Sequence, residues 1–458
     1  MNKIKRWFNK TENTFLIIAG LFGLISIFMN PILVVPDEST HLAFSYSMFS
    51  CNAHVPNFVH VDDDHQAIAN SIRQNRYIQN FTKKVNLDSN CLTVNIAEKK
   101  SNVVYGSNTV ATGSVVKHFA NFPAAIGVLI GRALWPTAGG IVLLGRLTNF
   151  AVFIAAVYFI IKRVKFGKLV FLFLAITPMM IHQMASLSYD VFNLVAIFAF
   201  VAFCINLAVQ KSKPSKKQYT YVAGLALMLF FSKPNNLLMM PLMLGIIAEK
   251  YQHPHLQKIT NFFNSLKKRW GINKYRILAT STMLVIAALI LYVLRESINV
   301  YRLKDTVLNT VLYTNVNGQL DPIATTGIVG NFGWLAYRFP EWIVILWFVV
   351  LTIVLLGYKA PKVSKRLSIW ALATFLLVCA SVFGALGYAQ YIHGSNVLLG
   401  IQGRYFTPLL SLLILVFAGI QNDIRLDVDA KKLKTLTVLF SLSLLLIYLY
   451  QTKTYYYN

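Results

Sequence analysis

The chain is poor in charge, and poorer still in acid. Only 13% of its 458 residues are charged, against about 25% in an ordinary soluble domain. Just 17 Asp and Glu stand against 43 Lys and Arg, while 56% of residues are hydrophobic. Such a composition excludes a soluble enzyme and points to an all-α polytopic membrane protein. In a soluble protein the formal net charge of +26 would suggest nucleic acid. Here no nucleic-acid-binding module is present, and the basic residues fall in short segments between apolar runs, as the positive-inside rule requires. Cysteine is scarce too: there are four, and no Cys–His cluster has zinc spacing. Cys204 and Cys379 lie inside apolar runs as packing residues. Cys51 and Cys91 share the first large loop, where an oxidising exterior would allow a disulfide. No repeat, low-complexity tract or separate soluble domain is visible.

The apolar runs and their basic punctuation give a topology. Four basic residues (Lys3, Lys5, Arg6, Lys10) precede a 22-residue uncharged run from Thr14 to Val35. It is longer than a signal-peptide core, no small-x-small cleavage site follows it, and it is long enough to span. A polar loop of about 80 residues then runs from Pro36 to Lys117, too long for a simple connector. His118 to Trp135, interrupted by Pro123 and Arg132, reads as an interfacial helix, so that 36–140 forms the first outer region. Spans follow over 141–161, from there to Ile181, and over 190–209. The run 219–248 is broken at Ser232-Lys233-Pro234-Asn235-Asn236. Reading it as a hairpin with Lys233 at its outer tip keeps the next basic segment inside. Further spans are expected over 277–294, 342–356, 369–386, 405–420 and 436–450, with a second large outer loop over 295–340. The total is about eleven spans in a single membrane domain. Its six inner segments carry 4, 4, 4, 7, 4 and 4 basic residues.

On this topology the unusual polar residues gather on the outer side. Pro36-Asp37-Glu38-Ser39-Thr40-His41 follows the first span directly, and ionisable residues at membrane depth are costly and usually have a function. Asp37 reads as a general base with Glu38 beside it. The plain alternative is a helix start, with Asp37 or Ser39 as cap. Asp190 heads a span and is equally readable as an N-cap. Lys233 suits an anion or a snorkelling interfacial role. Gln402-Gly403-Arg404-Tyr405 offers an arginine fork for a phosphate or carboxylate, with Gly403 allowing close backbone approach, against a plain interfacial arginine. His41, Trp334 within Gly330–Trp334, and Arg146 complete the set of candidate substrate contacts.

One base, two cations and no metal cluster fit a reaction whose leaving group is already an anionic phosphate ester. A sugar on a polyprenyl phosphate is such a substrate. Asp37 would take the acceptor's proton, and Arg404 and Lys233 would hold the departing phosphate. A hydrolytic glycosidase needs two carboxylates facing each other across the sugar, which adjacent Asp37 and Glu38 do not provide. The run 37–41 lacks the first histidine of the zinc-protease signature H-E-x-x-H. Asp62-Asp63-Asp64-His65 could hold a cation but reads better as a solvated loop. No metal or other cofactor is expected, although the outer carboxylates leave a divalent ion open.

These motifs also carry a resemblance. Pro36-Asp37-Glu38-x-x-His41, Gly145-Arg146-Leu147-x-Asn149, Pro178-Met179 with Ser188-Tyr189-Asp190, Lys233-Pro234, Gly333-Trp334-Leu335 and Gly400-x-Gln402-Gly403-Arg404-Tyr405-Phe406-x-Pro408 occur in this order. Together they resemble a family of bacterial membrane proteins catalogued as a domain of unknown function and thought to be related to GT-C glycosyltransferases. The resemblance implies a GT-C-like fold with juxtamembrane helices in the first outer loop, in a bacterial plasma membrane with the N-terminus cytoplasmic. It also implies an inverting transfer from a polyprenyl-phosphate (in bacteria, undecaprenyl-phosphate) sugar to a wall polysaccharide, teichoic acid or glycolipid. By position it makes Asp37 the acceptor-activating aspartate, Asp190 the second acidic residue and Arg404 a donor-phosphate contact. Two other readings stand beside it. One is a flippase for lipid-linked saccharides. The other is a polymerase or ligase on a pyrophosphate carrier, which would recruit Arg146 or Arg338.

Overall fold

The computed structural model describes residues 10–50, 65–85, 102–105, 108–111, 115–116, 118–251, 261, 265, 299–312, 326–333, 335–398, 400–421 and 424–458. The described residues are mostly helical, with turns and irregular links between the helices and two short two-stranded hairpins. In order come α1 (Thr11–Met29), α2 (Glu38–Ser47), α3 (Phe122–Leu134), α4 (Ala138–Arg163), α5 (Lys168–Ala175) and α6 (Pro178–Met184). They are followed by α7 (Asp190–Val209), α8 (Lys216–Ser232), α9 (Met240–Tyr251), α10 (Glu341–Gly357), α11 (Lys365–Ile392), α12 (Gly403–Ile420, opening in 3₁₀ turns) and α13 (Ala430–Tyr457). Among the described residues six of these, α1, α4, α7, α11, α12 and α13, are long and apolar enough to cross a membrane. The protein is therefore an all-α membrane protein. The run expected over 277–294, the loop cysteines Cys51 and Cys91, and Asp62 to Asp64 lie outside the described residues.

Burial sorts the helices. In α7, 78% of the apolar window is inside the protein; in α11 only 22% is. A helix apolar on all sides belongs in a core, and α7 is one. By contrast α11 shows Ile369, Trp370, Leu376 and Leu377 on its outside, the surface a lipid-facing helix presents. At the centre lies the run expected to cross as far as Ile181. It is not one helix but two, because Pro178 lacks the N–H that would continue α5. Thr177 caps the break by donating its hydroxyl to the Phe173 carbonyl at 3.1 Å. Residues 170–176 are almost wholly buried, and broken backbone at membrane depth is tolerated only where protein surrounds it.

The segment expected as an interfacial helix, 118–135, becomes the partner of α4. Chain reversal at 135–137 lays α3 antiparallel along the first turns of α4, with Thr137 capping α4 through Gly140 N–H at 3.1 Å. Gly127 and Gly131, a small-xxx-small pair, make this possible. A Cβ on Gly127 would lie 2.2 Å from the Leu144 carbonyl oxygen, and one on Gly131 would lie 2.7 Å from Ile141 Cα. Backbone cannot give way as a side chain can, so Gly131→Val should destabilise the purified protein by about 3 kcal/mol and lower its unfolding midpoint. Thermal unfolding in detergent, followed by size-exclusion fluorescence, checks this. An unchanged midpoint would show that α3 does not need the close approach.

Candidate active site

Four helix ends meet at one end of the bundle: the exit of α1, the start of α7, the end of α8 and the start of α12. What fixes the first of them is an ion pair. Glu38 and Arg146 are fully buried and face each other in a two-pronged contact, Nε to Oε1 at 2.7 Å and Nη2 to Oε2 at 2.6 Å. Arg146 spends its remaining N–H groups on the carbonyls of Ile27 and Asn30, at 3.1 and 2.8 Å, and of Pro31 at 2.9 Å. Glu38 in turn accepts from Leu33 N at 2.8 Å and Leu187 N at 3.2 Å. Both groups are saturated, as buried charges must be. The chain between α1 and α2 is thus wrapped around a guanidinium. It passes through the left-handed region at Leu33 (φ 65°) and at Asp37 (φ 62°).

Asp37 does not cap α2: its carboxylate makes no side-chain bond to the helix backbone. The strained turn instead points it across the bundle. There Arg404 Nη2 donates to Asp37 Oδ2 at 2.7 Å, and Arg404 Nε donates to Asp190 Oδ2 at 3.1 Å. Asp190 is not an N-cap either; the Ser188 hydroxyl takes its backbone N–H at 3.1 Å. Lys233 ends the chain of alternating charges, with Nζ 3.7 Å from Asp190 Oδ1. Lys233 lies in an aromatic bracket, 3.7 Å from the Tyr405 ring centroid and 5.2 Å from that of Tyr189. Exposure is least at Arg404 and rises towards both ends of the string, most at Asp37. The Arg404 side chain is 1% exposed, Asp190 9% and Lys233 18%, whereas Asp37 is 37% exposed. The carboxylate that reaches outward is held from behind by three charges that do not. Gly403 lets Arg404 get there, since a Cβ would sit 2.3 Å from the Gly327 carbonyl carbon.

The other candidates take different places. His41 is buried on α2, edge-on to Tyr189 with centroids 4.8 Å apart, and its Nδ1 is 3.1 Å from Asn121 Nδ2. Burial lowers its pKa to about 4, against the opposing pull of Asp37 and Asp190, so it is neutral at pH 7 and lines the cluster. Tyr405 and Gln402 stand beside Arg404. Trp334 lies outside the described residues. Glu38 and Arg146 do not join the cluster at all, because each is consumed by the other. Among the described residues no three His, Cys, Asp or Glu side chains converge as metal ligands would.

A second polar network joins Ser26, Asn30, His182 and Tyr448, whose only sequence signal is a polar group in apolar surroundings. Asn30 Nδ2 donates to the Ser26 hydroxyl at 2.8 Å and to Tyr448 at 2.9 Å. The Tyr448 hydroxyl lies 3.0 Å from His182 Nδ1, and Gly333 N–H donates to His182 Nε2 at 3.3 Å. Nδ1 also faces Asn30 Nδ2 at 3.3 Å. The network ties α1, α6 and α13 to the turn that precedes Trp334.

Two outcomes follow. Glu38→Gln should strip Arg146 of its counter-charge in the interior and cost about 3–5 kcal/mol, so the variant should fail to accumulate as folded protein, whereas Asp37→Asn should accumulate normally. Size-exclusion profiles of the two variants decide this, and a well-folded Glu38→Gln would reassign the pair. His41 provides a pH dependence. Its folded pKa of about 4 lies below the unfolded value of about 6.5, so the unfolded state binds the extra proton as pH falls through this window. Stability contributed by neutral His41 should be complete above pH 7 and decline towards pH 4. His41→Gln should flatten the melting temperature between pH 7 and pH 5; an unchanged slope would place the titration elsewhere.

No curated protein and no solved structure matches this chain. A family model described as "Predicted membrane protein (DUF2142)" matches residues 21–413. That stretch includes all four charged residues of the cluster and the Glu38–Arg146 pair. The chain belongs to this family of predicted membrane proteins.

Proposed function

We propose that this protein is an inverting GT-C-type glycosyltransferase of about eleven spans, acting on the outer side of a bacterial plasma membrane. It transfers a sugar from a polyprenyl monophosphate to a cell-envelope glycan such as a wall polysaccharide, teichoic acid or glycolipid. The observation that carries this reading is the pairing of a half-exposed carboxylate, Asp37, with a buried arginine that a second carboxylate holds in place. A base and an anion-binding fork lie within one hydrogen bond of each other at the end of a membrane bundle. In the reaction the acceptor hydroxyl gives its proton to Asp37, and its oxygen bonds to the anomeric carbon. The bond from that carbon to the phosphate oxygen breaks, with inversion, and the electron pair leaves on the polyprenyl phosphate. Arg404 and Lys233 take up the charge. Anchored through Nε to Asp190, Arg404 keeps its position while Nη2 exchanges Asp37 for a phosphate oxygen. The leaving group needs no protonation, so one carboxylate suffices. This monophosphate chemistry needs no metal.

A polymerase or ligase acting on a pyrophosphate carrier would draw on a further cation; of the two candidates, Arg146 is fully occupied by Glu38 and three carbonyls, and Arg338 is exposed. A flippase would expose charges along a path through the bundle, whereas the cluster described here sits at one end.

The test is transfer of radiolabelled sugar from polyprenyl phosphate to envelope glycan in membranes. Asp37→Asn should reduce it at least about a hundredfold with normal expression and retained donor binding. Unchanged transfer would remove Asp37 as base. Movement of lipid-linked sugar between leaflets without any transfer by the wild type would establish the flippase instead.

A further inference from the structure

At the end of the bundle opposite the charged cluster, α4, α7 and α8 leave a groove of about 750 Å³. Asn206 at its mouth is 16 residues along α7 from Asp190, roughly 24 Å away, so the groove is separate from the candidate active site. Its shape comes from missing side chains. Ala199 and Ala202 of α7 form part of the lining, and on α8 a Cβ added to Gly224 would meet nothing within 4 Å. Phe159, Phe203 and Met228 supply apolar walls. The α8 lining runs from Gln218 to Met228, ten residues and about 15 Å. That is half of a hydrocarbon core about 30 Å thick, the depth of a single leaflet.

Only one end is charged. Arg163 lies at the mouth with its guanidinium 5.7 Å from the Phe159 ring centroid. Lys216 and Lys217, at the start of α8, are exposed beside Gln218. None of the three has a carboxylate partner among the described residues. Asn206 fixes the arginine's backbone, donating to the Arg163 carbonyl at 3.2 Å and accepting from Lys165 N at 2.8 Å. A neutral lipid could fill the apolar part but would leave these cations unanswered.

We propose that the groove is a binding site for one anionic diacyl phospholipid of the leaflet at the basic end. One acyl chain lies between α4 and α8, and the phosphodiester lies at Arg163. This assignment is independent of the transferase reading. It can be tested by native mass spectrometry of the full-length protein released from nanodiscs of equal phosphatidylglycerol and phosphatidylcholine. The wild type should retain one phosphatidylglycerol. Gly224→Leu, whose Cβ enters open space and whose side chain extends into the groove, should lose it. Arg163→Gln should lower the retained glycerol-to-choline ratio about fivefold, the worth of one basic side chain at an anionic lipid. Lys365→Gln, a basic residue at the start of α11 and away from the groove, sets the background and should change nothing. Equal retention of the two lipids, or an effect of Lys365→Gln as large as that of Arg163→Gln, would overturn the site. Should Gly224→Leu fail to fold, the exposed Arg163 substitution decides alone.

Discussion

Everything at the charged end of this bundle hangs on Arg146 and Glu38. A guanidinium with five donors and a carboxylate with four acceptances close on each other in the interior, and the donors left over are the hooks on which the chain after α1 is hung. The turn from Asn30 to Asp37 includes two non-glycine residues in the left-handed region, each costing of order 1–3 kcal/mol. Such a turn persists only if its surroundings over-determine it. Here they do, through three carbonyls held from one side and the Leu33 N–H held from the other. A lysine in place of Arg146 could not bridge these partners, having three donors on a point charge instead of a planar fork.

The consequence is a division of labour between adjacent acids. Glu38 is dry, saturated and structural. Asp37, one residue earlier, is turned to the opposite side and left partly open. The same backbone that buries one exposes the other, so the left-handed turn at Asp37 is the means by which an anchor and a partly exposed carboxylate occupy neighbouring positions. Arg404 then makes the Asp37 carboxylate part of a string of alternating charges that ends on Lys233. A net-neutral string of this kind can sit in an apolar bundle where any single member would be costly. It also has one replaceable contact, the Arg404–Asp37 bond at its exposed end.

The two ends of the molecule meet the membrane differently. At one end polar groups are pulled inward and matched to each other, with His182, Tyr448 and Asn30 bracing the turn before Trp334 from below. At the other, Arg163, Lys216 and Lys217 face outward around a groove whose lining is largely apolar. The balance of charge differs accordingly. The basic end has two acid partners, Glu12 for Lys168 and Asp427 for Arg425, and leaves Arg163, Lys216 and Lys217 without a carboxylate among the described residues. The cluster pairs every cation with an acid.

The sequence by itself determined the membrane class, most of the long apolar helices and the gathering of Asp37, Asp190, Lys233 and Arg404, because run length, charge punctuation and the alternation of sides are local properties of the chain. It could mark the break around Lys233 for the same reason, but not the one at Pro178, which lies inside a run that reads as one continuous span. Tertiary structure alone decided which polar residues face which. Asp37 and Glu38 are indistinguishable as neighbours in a string, and Arg146 and Arg404 are both arginines beside a glycine. Their different fates depend on contacts 108 and 367 positions away along the chain. Likewise nothing in the apolar run at Asn30, or at His182 and Tyr448, announced a shared hydrogen-bond network. The turn of α3 back along α4 also rested on backbone approach at two glycines, in a segment that reads from sequence as an interfacial helix. Helix formation is written in nearby residues, while burial, pairing and saturation of charge are set by what packing brings from elsewhere.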